Sequence, residues 1–220
     1  MRSSWWKILS VLLLLYTFIG GLLMYVPRLD IVNETIRILY FHVPMWFGMI
    51  SLFAASTWYA IRYLRNPGTF NDIYSVQLAN VGFAYGMLGI LTGMVWAKYA
   101  WGSWWHGDPK QNGAAITLLV YSAFFVLRAS IENEDQRARL SAIYNIFAFI
   151  AMIPLLFIIP RMQDSLHPGS GGNPGFNMYD LDNSMKTVFY PACIGWILLG
   201  FWIASLRIRF RLIEEKYSLS

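Results

Sequence analysis

The chain has 220 residues, of which 57% are hydrophobic, 17% aromatic and only 13% charged, against about 25% charged in an ordinary soluble domain. That balance excludes intrinsic disorder and a water-soluble globule, and the formal charge of +5 in so apolar a chain reports membrane topology and implies no nucleic-acid partner. The single cysteine, Cys193, leaves neither an intramolecular disulfide nor a CxxC redox pair.

Six apolar runs follow one another: Ile8–Val26, Ile38–Ile61, Val76–Trp96, Gly113–Ile131, Leu140–Ile159 and Val188–Leu206. Each has 19 to 24 residues, and about 20 helical residues cross the hydrocarbon core of a bilayer. The sequence therefore predicts an all-α fold, a polytopic membrane bundle of six transmembrane helices forming one domain over residues 1–220. The first run is followed by Val26-Pro27-Arg28 and no small-residue cleavage site, so it reads as a retained helix and not as a signal peptide. Of the 17 Lys and Arg, eleven fall on the side that holds the N-terminus, loops 62–75 and 128–139 and the C-terminal tail, and six on the other. The positive-inside rule then puts both termini in the cytoplasm. A Trp-rich loop, 97–112, and a Gly-rich loop, 160–187, face outward with loop 27–37.

All three histidines fall at or near that outer face. His42 lies in Tyr40-Phe41-His42-Val43-Pro44, about one turn inside the second span. An ionisable group at that depth is a candidate functional residue. Pro44 has no N–H, so the carbonyl of Tyr40 loses its helical partner and the helix is expected to bend or loosen beside the imidazole. His42, Met45, Trp46, Met49 and Phe53 share one helical face that would receive a flat apolar ligand; the plain alternative is ordinary bundle core with a hydrogen-bonded histidine. His167 opens His167-Pro168-Gly169-Ser170-Gly171-Gly172-Asn173-Pro174-Gly175, a composition that predicts a loop able to swing a ligand, or simply a solvated histidine. His106 is either solvent-facing or a competitor of the other two as a metal ligand.

His106 belongs to Trp101-Gly102-Ser103-Trp104-Trp105-His106-Gly107-Asp108-Pro109-Lys110. Three Trp in five residues exceed what an interfacial aromatic belt requires and suggest a platform for a large planar ligand, while Gly102, Gly107 and Pro109 argue against a long amphipathic anchor helix. In the third span Gly82, Gly86, Gly89 and Gly93 line one face, the mark of close helix contact. A flat, apolar, metal-centred ligand with anionic groups would use these parts together. Haem fits: an aromatic ring, an iron with two axial positions for imidazole, and propionates within reach of Arg37, Lys98, Lys110 or Arg161.

At these residues the sequence resembles the haem-handling membrane proteins that carry a Trp-rich "WWD" segment. Trp101, Gly102, Trp104, Trp105, Asp108, Pro109 and Lys110 match; Gly107 stands where the family usually has another Trp, and His106 is unusual in its slot. Within that superfamily, Arg37-Ile38-Leu39-Tyr40-Phe41-His42-Val43-Pro44, the six spans and the compact length are similar to the CcmC type of cytochrome c maturation, over about residues 30 to 206. Asp108-Pro109-Lys110-Gln111-Asn112 resembles relatives that are cytochrome c synthase subunits.

The resemblance implies a non-enzymatic carrier in the bacterial inner membrane. It would hold b-type, non-covalent, transient haem at the periplasmic side and pass it to a CcmE-type chaperone beside an ABC-type CcmA/CcmB/CcmD-like complex, in contact with membrane lipid. It also implies that His42 and His167 are the axial ligands, that Trp101, Trp104, Trp105 and Asp108 belong to the haem site, and that Arg37 and Lys110 meet the propionates. Two alternatives stay open: a synthase subunit that attaches haem to apocytochrome, and a quinone-binding subunit of a redox complex.

Overall fold

The computed structural model describes residues 4–27, 33–167 and 181–218. It is all-helical, with six helices long and apolar enough to cross a membrane. They are α1 (Trp5–Leu23), α2 (Leu39–Arg65, led in by a 3-10 turn at Asn33–Ile38), α3 (Thr69–Trp101), α4 (Pro109–Ala129), α5 (Glu134–Ile153) and α6 (Asn183–Ser218). Beyond α5 the chain passes through a π turn, Pro154–Ile158, and a 3-10 turn, Ile159–Arg161. At 1.5 Å per residue, α3 and α6 run to about 50 Å, well past the apolar runs that announced them.

Pro44 does not break α2. The helix is continuous through it, and the tightened 3-10 turn lies just before Leu39. So close to the helix start, the missing N–H orphans only one early carbonyl. Pro154 acts more strongly. Pro154 ends the regular α pattern of α5, and the chain widens into the π turn.

Glycines set the closest packing. A Cβ on Gly82 would lie 2.8 Å from Phe53, on Gly86 2.5 Å from Leu118, on Gly89 2.8 Å from Trp46 and on Gly93 2.7 Å from His42. The stripe on α3 therefore admits side chains of α2 and α4 right up to its backbone. Met45, Met49 and Phe53 are spent in this contact. They are core residues, with Phe53 stacked on Tyr121 at 3.5 Å between centroids. Of the face expected to receive a ligand, only His42 and Trp46 border open space.

α1 runs antiparallel to α6, with Ser10 Oγ donating to the Gly195 carbonyl at one end and Gly20 against Val188 at the other. Three mid-bundle helices are tied by a buried polar knot. Asn145 Nδ2 donates to Ser56 Oγ and Ser75 Oγ at 2.7 and 2.9 Å, and Ser56 Oγ donates to the Ser75 carbonyl at 2.6 Å. At the end of the bundle away from the histidines, Arg128 grips Asp72 with both terminal nitrogens, at 2.8 and 2.6 Å. Among the described residues the one buried carboxylate is Asp108, outside the spans. Six spans bring α1's start and α6's end to the same end of the bundle, opposite the histidines.

Candidate functional site

α3 stops at Trp101 because Gly102 takes φ +86 and closes the helix, its N–H donating to the Lys98 carbonyl. Gly107 also has positive φ, +71, a conformation costly to a Trp. This gives a physical reason for the chain's departure from the WWD pattern there. Between the two glycines the Trp segment is non-helical and stitched to α4. The His106 N–H donates to Gln111 Oε1 at 3.0 Å, and Asn112 Nδ2 donates to the Gly107 carbonyl at 2.8 Å.

Asp108 is the N-cap of α4 and the hub of this end. Its side chain is 1% exposed. Oδ1 accepts from the Lys110 N–H at 2.9 Å and from His167 Nδ1 at 2.8 Å. Oδ2 accepts from Ser165 Oγ at 2.9 Å and the Leu166 N–H at 2.7 Å. Burial pushes this carboxyl up. The His167 hydrogen bond and charge and the Lys110 and Leu166 amides outweigh that and hold it well below the usual carboxylate range. Asp108 thus ties the segment after α5 to the start of α4. Because a carboxylate only accepts, the His167 ring, when neutral, carries its proton on Nδ1 and keeps the Nε2 lone pair.

Between α2, α3, α4 and this segment lies a mainly apolar cavity of ≈ 180 Å³. His42 and Trp46 of α2 border it, with Trp96 of α3, Lys110 of α4, Phe157 of the π turn and His167. Trp105, 40% exposed, lies at its mouth. The Trp96 indole is buried against Trp101, and its Nε1–H has no partner among the described residues.

The other expected site residues fall elsewhere. Trp101 packs edge-on against His167, centroids 5.0 Å apart, behind the cavity wall. Trp104 is 51% exposed and is not part of that wall. Arg37 has partners of its own: its Nη1 donates to the carbonyls of Gly21 and Met24, at 3.0 and 2.7 Å, and its Nε pairs with Glu34. It caps the C-terminal end of α1, where helix carbonyls lack partners, and does not border the cavity. Asp108 reaches the site through His167 and not by lining it. His106 Nε2 sits 2.9 Å from the Trp101 carbonyl, so the ring donates there and latches the Trp segment. Of the Gly-rich stretch only His167 is described; residues 168–175 lie outside the described residues. Sequence reasoning missed Thr92, Gln111 and Phe157. Phe157 was hidden by the π turn, which no local pattern announced.

Residues 1–219 match the family model described as Heme exporter protein C, CcmC. The chain belongs to the CcmC family. It is 24% identical over 181 residues to the Heme exporter protein C of Paracoccus denitrificans (strain Pd 1222), covering 81% of this chain and 73% of the relative. It is 25% identical over 170 residues to the protein of that name from Rhodobacter capsulatus, covering 76% of this chain and 68% of the relative. It is also 29% identical over 161 residues to the cytochrome c biogenesis protein CcsA of Solanum tuberosum. That match covers 73% of this chain but 48% of the relative, so the chain spans about half the length of that relative. CcmC membership and the CcsA likeness place the chain in cytochrome c biogenesis and haem handling.

Proposed function

We propose that this CcmC-family chain carries haem, holding it between His42 and His167 at the periplasmic face of the bacterial inner membrane and delivering it to a periplasmic haem chaperone. One observation carries the reading. Two imidazoles from separate elements border a single apolar cavity, and each has Nδ1 engaged by a partner of its own, Thr92 for His42 and Asp108 for His167. Metal-ligating histidines are held in this way. Among the described residues no group of three or more His, Cys, Asp or Glu could hold a bare metal ion. Two imidazoles suit a metal that arrives with its own equatorial ligands, as haem iron does.

The cavity is smaller than the roughly 300–1,000 Å³ usual for ligand pockets. It would enclose the iron and part of the ring, leaving one edge against Trp105 and the lipid. The aromatic wall excludes water from the ring face, and Lys110 is placed for a propionate. The buried Trp96 N–H, without a partner among the described residues, supplies a further donor. The excess of Lys and Arg at the opposite end supports cytoplasmic termini. Binding is by coordination and packing, so the b-type haem stays non-covalent and can leave. The partners are a CcmE-type chaperone and a CcmA/CcmB/CcmD-like ABC complex.

The CcsA likeness favours a second reading, a synthase subunit acting directly on apocytochrome. The test is to load the purified protein with haem and offer it, separately, a CcmE-type chaperone and apocytochrome c. The carrier reading expects haem to pass to the chaperone and no covalent product with apocytochrome. Covalent cytochrome formed without a chaperone would overturn it.

A further inference from the structure

Metal ligation asks two things of His42: a lone pair on Nε2 and a ring that cannot turn away. Both depend on two neighbours, Thr92 of α3 and Trp46 one turn along α2. Thr92 Oγ1 donates to the Leu88 carbonyl, one turn back, at 2.7 Å. With its proton committed there, the hydroxyl oxygen is left to accept, and His42 Nδ1 lies 3.0 Å from it. That arrangement, with the Gly89 carbonyl also 3.1 Å from the hydroxyl, favours the ring proton on Nδ1. The other ring nitrogen gives the same answer independently. Trp46 Nε1–H, which can only donate, points at His42 Nε2 from 3.4 Å with the two rings edge-on at 83°.

The chain Trp46 N–H, His42, Thr92, Leu88 carbonyl is thus polarised in one direction. Two glycines make room for it. Trp46 lies where a Cβ on Gly89 would be, and His42 where a Cβ on Gly93 would be. Both rings also border the cavity.

We propose that Thr92 and Trp46 are positioning residues for the His42 ligand: Thr92 fixes its Nδ1–H tautomer and ring plane, and the Trp46 N–H occupies Nε2 as a placeholder until iron displaces it. The exchange balances without proton transfer. The Trp46–Nε2 hydrogen bond breaks, the Nε2–iron bond forms, and the ring proton stays on Nδ1 against Thr92. At 3.4 Å the bond to be broken is a long one, so it protects the lone pair without blocking the metal. This inference rests on the haem-carrier reading for the identity of the metal, but the tautomer part is independent of it.

The experiment has two arms. In the first, ¹⁵N-histidine NMR of the haem-free protein in detergent resolves the three imidazoles, with His42→Gln identifying the His42 signals. The proposal expects the Nδ1–H form at His42, a mixture of tautomers in Thr92→Val, and the wild-type pattern in Thr92→Ser. The Nε2–H form in wild type, or no change in Thr92→Val, would overturn it. In the second arm, haem is added to wild type and variants and binding is followed by absorption and stopped flow. Thr92→Val is expected to bind about 10- to 100-fold more weakly, the usual effect of removing the partner of a metal-bound histidine, with Thr92→Ser restoring affinity. Trp46→Phe keeps an aromatic ring but removes the placeholder and is expected to bind haem faster; an unchanged or slower rate would overturn that half. Wild type that fails to bind haem refutes the carrier reading, and the first arm still decides the tautomer claim.

Discussion

Asp108→Asn keeps the shape of the N-cap and removes its charge. All four partners of the carboxylate are donors, and an amide offers only one accepting oxygen. If the NH₂ replaces Oδ1, it faces both the Lys110 N–H and His167 Nδ1–H. If it replaces Oδ2, the Ser165 hydroxyl can turn to accept, and the Leu166 N–H alone is left without a partner. The second orientation is the cheaper one. It leaves one buried donor unmet, at about 1–3 kcal/mol, and turns the His167 bond from charge-assisted to neutral, a loss of about 1 kcal/mol. With the carboxylate only 1% exposed, solvent does little to soften this. His167 keeps its bond to Oδ1 but is held less firmly, while the six helices persist.

The assay is haem titration of the purified protein in detergent, with circular dichroism as the check on folding. Affinity is expected to fall about 10- to 100-fold, with helicity unchanged. The carboxylate's own contribution should be constant above the ordinary carboxyl value of 3.8. The folded carboxyl is depressed, so its contribution is fully present above that value and is lost only as the pH falls toward the lower folded one. Unchanged affinity in a folded variant would refute the claim that Asp108 sets the His167 ligand.

Trp105→Ala should weaken haem binding, because Trp105 borders the cavity, whereas Trp104→Ala should leave equilibrium binding as in wild type; parallel titrations decide. Gly93→Ala places a Cβ 2.7 Å from His42 and should abolish the wild-type haem spectrum, while Gly68→Ala, with nothing within 4 Å, should not alter it. Gly113→Ala would set a Cβ 2.2 Å from the Leu155 carbonyl, a clash with backbone that cannot swing aside. It should destabilise the bundle by about 1–3 kcal/mol, read as a lower thermal midpoint in detergent.

The six spans were legible because hydropathy over about 20 residues is a strong signal. The ends of α3 and α6 were not, because Asp72 and the Arg207–Lys216 stretch dilute that signal while the helix continues. That His42 and His167 border one cavity could be anticipated from residue type and from their places at one end of the spans. Their supporting residues could not. The Asp108–His167 contact joins residues 59 apart in the chain, and nothing local marks it. Thr92 reads as one more residue of a span whose hydroxyl bonds back to its own helix. Arg37 was legible as a charge next to the second span, but it is drawn to the open carbonyls of α1, which only the packing of α1 beside the 3-10 turn reveals. Pro44 looked disruptive and is not, since its position near the helix start leaves little to break.

The central claim is that one haem iron is held by His42 and His167 together. Electron paramagnetic resonance of the ferric haem-loaded protein tests it most directly. Wild type is predicted to give a low-spin bis-histidine signal, and His42→Ala and His167→Ala are each predicted to lose it, becoming high-spin or haem-free. A wild-type low-spin signal surviving in both variants would contradict the account.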